Sequence, residues 1–153
     1  MTRLVSSKDI ENVGLKWTTI DKYGAMPYRI GEPVIVNTDH KDGQGIHWMV
    51  IVKLNGARLY IYDPLGPSNN RISSDGTSTD EYLQGLRVHY FPYASQFKSS
   101  DDCGYFAIMI GLTFKNFLNR SNISNRTLDN IIKKIFGTSP DVSDVKKLER
   151  AFA

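Results

Sequence analysis

Two β-forming segments joined by an Asn-Gly dipeptide at 55–56 restrict the fold of this chain more than any other feature. The segments cover residues 47–54 and 58–62 and are rich in Val, Ile and Tyr, which favour strands. Asn-Gly is typical of two-residue type I′ turns, because both central positions need positive φ. The pattern predicts an antiparallel hairpin, and Asp63 with Pro64 ends its second strand because proline cannot donate to the ladder.

The rest of the chain predicts an α+β protein. We expect strands at 33–36 and 86–91, a helix within 6–20 capped by Ser7, and helices at 80–85, 103–118, 127–136 and 143–152. The segment 103–118 is apolar on nearly all sides, which indicates a central buried helix. Because strands precede the main helices, the order favours an α+β architecture over a βαβ repeat.

Composition excludes several classes of protein. The 153 residues suit one compact domain spanning 1–153, since domains of this size can bury a sizeable core. A single cysteine excludes a disulfide framework and a multi-cysteine zinc site, and we predict neither a metal nor a cofactor. The N-terminus lacks the apolar core of a signal peptide. No apolar segment approaches the ~18 residues of a membrane span, so we expect a soluble intracellular protein.

Cys103 is the first candidate for chemistry. Polar cap residues at 99–102 precede it, which places the thiol in the first turn of the predicted helix. The positive end of a helix dipole favours the thiolate, and the thiolate is the nucleophilic form of cysteine. The alternative is a buried small hydrophobic residue, as most free cysteines are.

A thiolate nucleophile needs a base, and the base needs an orienting group. Of the three histidines, His40 lies in a polar loop and His89 alternates on a strand, so both suit exposed positions. His47 opens the first hairpin strand, and pairing about the Asn-Gly turn places it opposite Pro64. His47 and Asp63 are therefore expected side by side. The alternative is an exposed ion pair of little energetic value.

Gln96 completes the candidate set. It lies seven residues before Cys103, in a loop that must turn back to begin the helix. Its amide N–H suits the oxyanion of a tetrahedral intermediate. The alternative is an ordinary surface amide.

Four short motifs together resemble a known family. They are Gly-Ile-His-Trp-Met at 45–49, Tyr-Asp-Pro-Leu-Gly at 62–66, Gln96, and Asp-Cys-Gly-Tyr-Phe at 102–106. Their order and spacing are similar to those of the adenain family of viral maturation cysteine proteases. That family belongs to the clan of SUMO and other ubiquitin-like-protein proteases. The short chain resembles the compact forms carried by virophages and Polinton-type elements.

The resemblance implies a papain-like or adenain-like fold, with a small mixed sheet and a buried helix carrying the nucleophile at its N-terminus. It implies that Cys103 attacks, His47 is the base and Asp63 orients His47. Gln96 and the Cys103 backbone N–H would form the oxyanion hole. Trp48 would bind substrate by forming a wall of the cleft.

The expected function is a thiol endopeptidase that cleaves capsid or core precursors after Gly-containing sites during virion maturation. One alternative is a SUMO-type deconjugating protease, and another is a catalytically inactive binding module. A net charge of +3 without a dense basic tract gives little support for nucleic-acid binding. With one cysteine, no disulfide-linked activator is expected. We expect a monomer, present in the virion and in the host cytoplasm or nucleus.

Overall fold

A computed structural model describes residues 5–25, 28–95, 102–117 and 123–136. The helices are α1 (Ser7–Asn12), α2 (Ile20–Tyr23), α3 (Thr79–Tyr82), α4 (Cys103–Phe117) and α5 (Asn125–Phe136). The strands are β1 (Lys16–Thr19), β2 (Pro33–Asn37), β3 (Trp48–Leu54), β4 (Arg58–Tyr62) and β5 (Arg87–Tyr90). The predicted α+β architecture is confirmed; the predicted helix at 143–152 lies outside the described residues.

The strands form one five-stranded sheet in the order β1-β2-β3-β4-β5. The central pairs are antiparallel, whereas β1 runs parallel to β2 and β5 parallel to β4. Helices cover both faces: α4 and α5 pack on one, and α2 and α3 lie on the other. Burial on both faces explains why the central strands are almost continuously apolar rather than alternating.

Helix α4 lies directly against the sheet. It runs for 15 residues from Cys103, which confirms the predicted buried helix. A Cβ added at Gly111 would lie 2.8 Å from Ile35 Cδ1 on β2. Glycine therefore permits the close approach of α4 to the sheet, and this approach positions the helix N-terminus at the sheet edge.

The hairpin differs from its prediction by one residue. Leu54 pairs with Arg58, so the connection has three residues, 55–57. Gly56 and Ala57 have φ values of 73° and 56°. A three-residue loop with residues in the left-handed region is the next most common hairpin connection. The predicted two-residue type I′ turn is therefore wrong, although both strands are present.

The N-terminal prediction is wrong in part. Helix α1 ends at Asn12, and its N-cap is Ser6 rather than Ser7, in a capping box with Asp9. Gly14, with φ 82°, then leads the chain into β1, which the sequence analysis missed. The β-forming Trp-Thr-Thr segment at 17–19 favours a strand there. None of the helices within the described ranges is long and apolar enough to cross a membrane.

Candidate active site

His47 and Asp63 meet at one end of the sheet. His47 immediately precedes β3 and Asp63 immediately follows β4, so the antiparallel pairing brings them to the same edge. His47 Nε2 donates to Asp63 Oδ1 at 2.6 Å. The two side chains are 8% and 1% exposed. The alternative of an exposed ion pair is therefore wrong, because the pair is buried.

Cys103 joins this pair from the other side. The side chains of His47 and Cys103 interact, and this interaction helps to raise the pKa of His47. Because Nε2 of His47 is hydrogen-bonded to Asp63, Nδ1 is the ring nitrogen that remains available to the Cys103 sulfur. The backbone N–H of Trp48 also donates to Cys103 Sγ, at 3.5 Å. Cys103 is half-buried and lines a cleft, unlike a cysteine sealed in the core. The structure thus brings together three of the four predicted catalytic side chains.

The electrostatics of the pair favour a charged histidine. Burial by itself lowers the pKa of His47. Hydrogen bonds to Asp63 and Cys103, and the charges of those groups, outweigh burial and raise the pKa of His47 to about 9. Burial also opposes the ionisation of Asp63, but His47, Asn69 and the Leu65 N–H hold the pKa of Asp63 below its usual value. At neutral pH an imidazolium therefore lies between a carboxylate and the thiol sulfur.

No sequence motif predicts the groups that hold Asp63 in place. Oδ1 also accepts from the Leu65 N–H at 2.9 Å, and Oδ2 accepts from Asn69 Nδ2 at 3.1 Å and Arg71 Nη1 at 3.0 Å. Asn69 and Arg71 belong to the segment 67–79, whose Ser, Asn, Gly and Asp content favours a surface loop. Many residues of this segment are exposed, and the Thr79 N–H donates to the Arg71 carbonyl at 2.9 Å, which connects the two ends of residues 71–79. The segment is irregular, so no hydrophobic periodicity in the sequence predicts these contacts.

A cleft of about 510 Å³ opens beside the sulfur. Trp48 lines it, as predicted, and its indole Nε1 donates to the Val5 carbonyl at 3.1 Å. Trp17 packs edge-to-face against Trp48, with ring centroids 6.1 Å apart, and also lines the cleft. Trp17 could be found only by recognising β1. Gly104 admits the side chain of Val5, which an added Cβ would hit.

Two buried polar residues shape the loop between β2 and His47. Asn37 Oδ1 accepts from the Ile46 N–H at 3.0 Å. Asp39 Oδ2 accepts from the Gly45 N–H at 3.0 Å, and Oδ1 accepts from the Ser74 N–H at 3.0 Å. Asp39 thereby links the cleft loop to the segment that carries Arg71. This network fixes the backbone that leads into His47.

The other candidates have different environments. Gln96 lies outside the described residues, so its role stays a prediction. His40 is half-buried and lines the cleft, and its Nδ1 accepts from the Asp42 N–H at 3.2 Å. His89 is half-buried rather than exposed, and its Nε2 lies 3.1 Å from Asp129 Oδ2. Within the described part of the chain, no group of three or more His, Cys, Asp or Glu residues is arranged to hold a metal ion.

Comparison with known families adds a second line of support. The SidE DUB domain, a cysteine-based deubiquitinase family, matches residues 7–147. The match extends over every described helix and strand and includes His47, Asp63, Gln96 and Cys103. It indicates a ubiquitin-related cysteine protease rather than the adenain family specifically. No curated protein matches the chain.

Proposed function

The chain belongs to the SidE DUB domain family, and from this membership and the site geometry we propose that it hydrolyses the bond after the C-terminal glycine of ubiquitin or a ubiquitin-like modifier. The observation that supports this most strongly is the convergence of Cys103, His47 and Asp63 beside a cleft. His47 Nε2 lies 2.6 Å from Asp63 Oδ1, and the Cys103 side chain also interacts with His47.

In the proposed reaction, the Cys103 thiolate attacks the scissile carbonyl carbon. The His47 imidazolium then gives its proton to the leaving amine as the C–N bond breaks, and a thioester remains on Cys103. Water attacks the thioester, His47 accepts the proton of the water, and the thiolate leaves. Asp63 keeps the ring in one orientation throughout. The Cys103 backbone N–H and Gln96 are the proposed donors to the oxyanion.

The walls of the cleft support a glycine before the scissile bond. Trp48 is fixed on two sides, since its indole donates to Val5 and its ring packs against Trp17. Gly45 and Gly104 also line the cleft, so peptide backbone lies close to the space a substrate would occupy. A slim substrate residue suits walls that are built from rigid indoles and backbone. Ubiquitin and many related modifiers end in two glycines.

The narrower prediction of a capsid-precursor endopeptidase shares this chemistry and stays a second candidate. It rests on the four motifs that resemble adenain, whereas the family match favours ubiquitin-related substrates. The inactive binding module is less favoured, because a scaffold without catalysis has no need for a buried histidine between a carboxylate and a thiol.

We further propose that the domain acts as a monomer inside cells.

A substrate panel tests the proposal. Purified chain is incubated with fluorogenic amides of ubiquitin and SUMO, with diubiquitin, and with unfolded Gly-Gly peptides of capsid type. We expect hydrolysis of at least one folded modifier after its last glycine, and none by Cys103→Ala with an unchanged circular dichroism spectrum. Cleavage of the unfolded peptides alone would favour the precursor endopeptidase. Hydrolysis by Cys103→Ala would exclude the cysteine mechanism.

A further inference from the structure

Arg71 is a buried cation directly behind the candidate catalytic pair. Its side chain is 8% exposed. Nη1 donates to Asp63 Oδ2 at 3.0 Å and to the Gly66 carbonyl at 3.3 Å, and Nη2 donates to the Pro67 carbonyl at 3.2 Å. Cζ lies 4.1 Å from the centre of the Tyr90 ring. A buried guanidinium is tolerated only when it is paired and hydrogen-bonded, and these contacts fix it in one position.

The charges around Asp63 change during the proposed reaction. When His47 is protonated, the Asp63 carboxylate has a cation on each oxygen: His47 at Oδ1 and Arg71 at Oδ2. After His47 gives its proton to the leaving amine, the histidine is neutral. Without another cation, Asp63 would then be a buried and uncompensated charge, which is strongly unfavourable. Arg71 supplies the charge that remains in place.

We propose that Arg71 is a positioning residue that keeps Asp63 ionised and oriented throughout the reaction, including the stage at which His47 is neutral. This inference rests on the proposed function, because it assigns a purpose to a proton cycle on His47. It also explains why the segment that follows Asp63 folds back. That segment returns Asn69 and Arg71, six and eight residues later, to the carboxylate.

The proposal predicts a change in pH dependence. The titratable and charged groups that face the cluster are His47, Cys103, Asp63, Arg71, Tyr62 on β4, and Tyr90 on β5 with its partner Asp80. Removing a buried cation makes protonation easier at every neighbouring group. Loss of the Arg71 charge should therefore move both the acid and the alkaline limbs of the pH profile to higher pH. A purely structural role would lower the yield of folded protein without moving the limbs.

Alkylation of Cys103 provides a readout that needs no substrate. The chain has one cysteine, so the rate of reaction with iodoacetamide reports on that thiol alone. The rate is measured against pH for wild type, Arg71→Met, Arg71→Gln and Arg71→Lys. The matched control is Arg87→Met, since Arg87 is an exposed arginine on β5. The same variants are assayed on the modifier amide that wild type cleaves.

We expect both neutral variants to shift the acid and alkaline limbs to higher pH and to lose about 10- to 100-fold in kcat, by analogy with the loss of residues that hydrogen-bond to metal ligands. Arg71→Lys should keep the limbs in place, and Arg87→Met should match wild type. If a neutral variant folds and its pH profile overlays that of wild type, Arg71 is not a positioning residue for Asp63. Failure of both neutral variants to fold would assign Arg71 to stability alone and also overturn the positioning role.

A different result would show that the proposed function itself is wrong. In that case, wild type would cleave neither the ubiquitin amide nor the SUMO amide, whatever the alkylation profiles of the Arg71 variants show. Cleavage of a modifier amide by wild type, combined with neutral variants whose pH profiles overlay that of wild type, would leave the proposed function intact and exclude only the role of Arg71.

Discussion

Two of the His–Asp pairs within the described residues lie in different environments. His47 and Asp63 are 2.6 Å apart, with side chains 8% and 1% exposed. His89 on β5 and Asp129 on α5 are 3.1 Å apart, with side chains 35% and 16% exposed. The first pair contacts a thiol and adjoins a cleft. In the second, Asp129 instead accepts from the Tyr60 hydroxyl at 2.6 Å.

The comparison shows that a histidine beside a carboxylate does not make a catalytic site. The second pair joins α5 to the sheet, and its histidine packs against the Tyr60 ring with centroids 5.4 Å apart. Burial, and then the hydrogen bond to Asp129, raise the pKa of Tyr60, so Tyr60 stays a neutral donor. The first pair is distinguished by the Cys103 thiol, which lies beside the part of the His47 ring that Asp63 does not contact.

Replacing each histidine by alanine should give the largest difference in activity between the two pairs. We expect His47→Ala to lower kcat/KM by about 10⁴-fold, the upper range for loss of a general acid–base group. His89→Ala is the matched control and should stay within about twofold of wild type, with a small fall in Tm. Steady-state kinetics on a cleaved modifier amide measures both. Equal losses in the two variants would show that the comparison is wrong.

Replacing each aspartate by asparagine should give the next largest difference in activity between the two pairs. Asp63→Asn should lower kcat by up to ~10⁴-fold, because the ring loses its orienting anion and the correct tautomer. Asp129→Asn should retain activity and lose about 1 kcal/mol of stability, as for one weakened hydrogen bond. Kinetics with parallel thermal melts distinguishes the two. An active Asp63→Asn would mean that Asp63 does not orient His47.

The first pair could be anticipated from the sequence, but its surroundings could not. The hairpin signal brings the position before one strand beside the position after the other, and a one-residue error in register still leaves His47 near Asp63. The contacts of Arg71 with Asp63 depend on the path of an irregular segment, which has no periodicity. Strand β1, which carries Trp17, has only four residues and begins four residues after α1 ends, so its pattern is too short to recognise.

The raised pKa of His47 predicts the alkaline limit of activity. The pKa of about 9 lies above the usual value of 6.5, so His47 is protonated at neutral pH and loses its proton as the pH rises through about 9. We expect kcat/KM to fall with a midpoint near pH 9, and tenfold for each further pH unit. His89→Ala should leave this limb unchanged. A limb near pH 6.5 would indicate an unperturbed histidine.

The smallest expected effect concerns selectivity in the cleft. Trp17→Ala should leave kcat for a glycine substrate within a fewfold range but reduce the preference for glycine over alanine by about tenfold. One methyl group in a fitted pocket is worth about that much. Tyr60→Phe, which alters the second pair, should keep the wild-type preference. Matched peptide substrates that differ only at this position measure the ratio, and an unchanged ratio in Trp17→Ala would exclude this wall from substrate selection.

Mass spectrometry after reaction with ubiquitin carrying a C-terminal vinyl sulfone tests most directly whether Cys103 attacks the end of a modifier. We predict one ubiquitin adduct per chain, mapped to Cys103, absent in Cys103→Ala and formed far more slowly by His47→Ala. His89→Ala should react at the wild-type rate. Failure to form the adduct, under conditions in which the reagent labels another cysteine deubiquitinase and the corresponding SUMO reagent also fails, would contradict the proposed function.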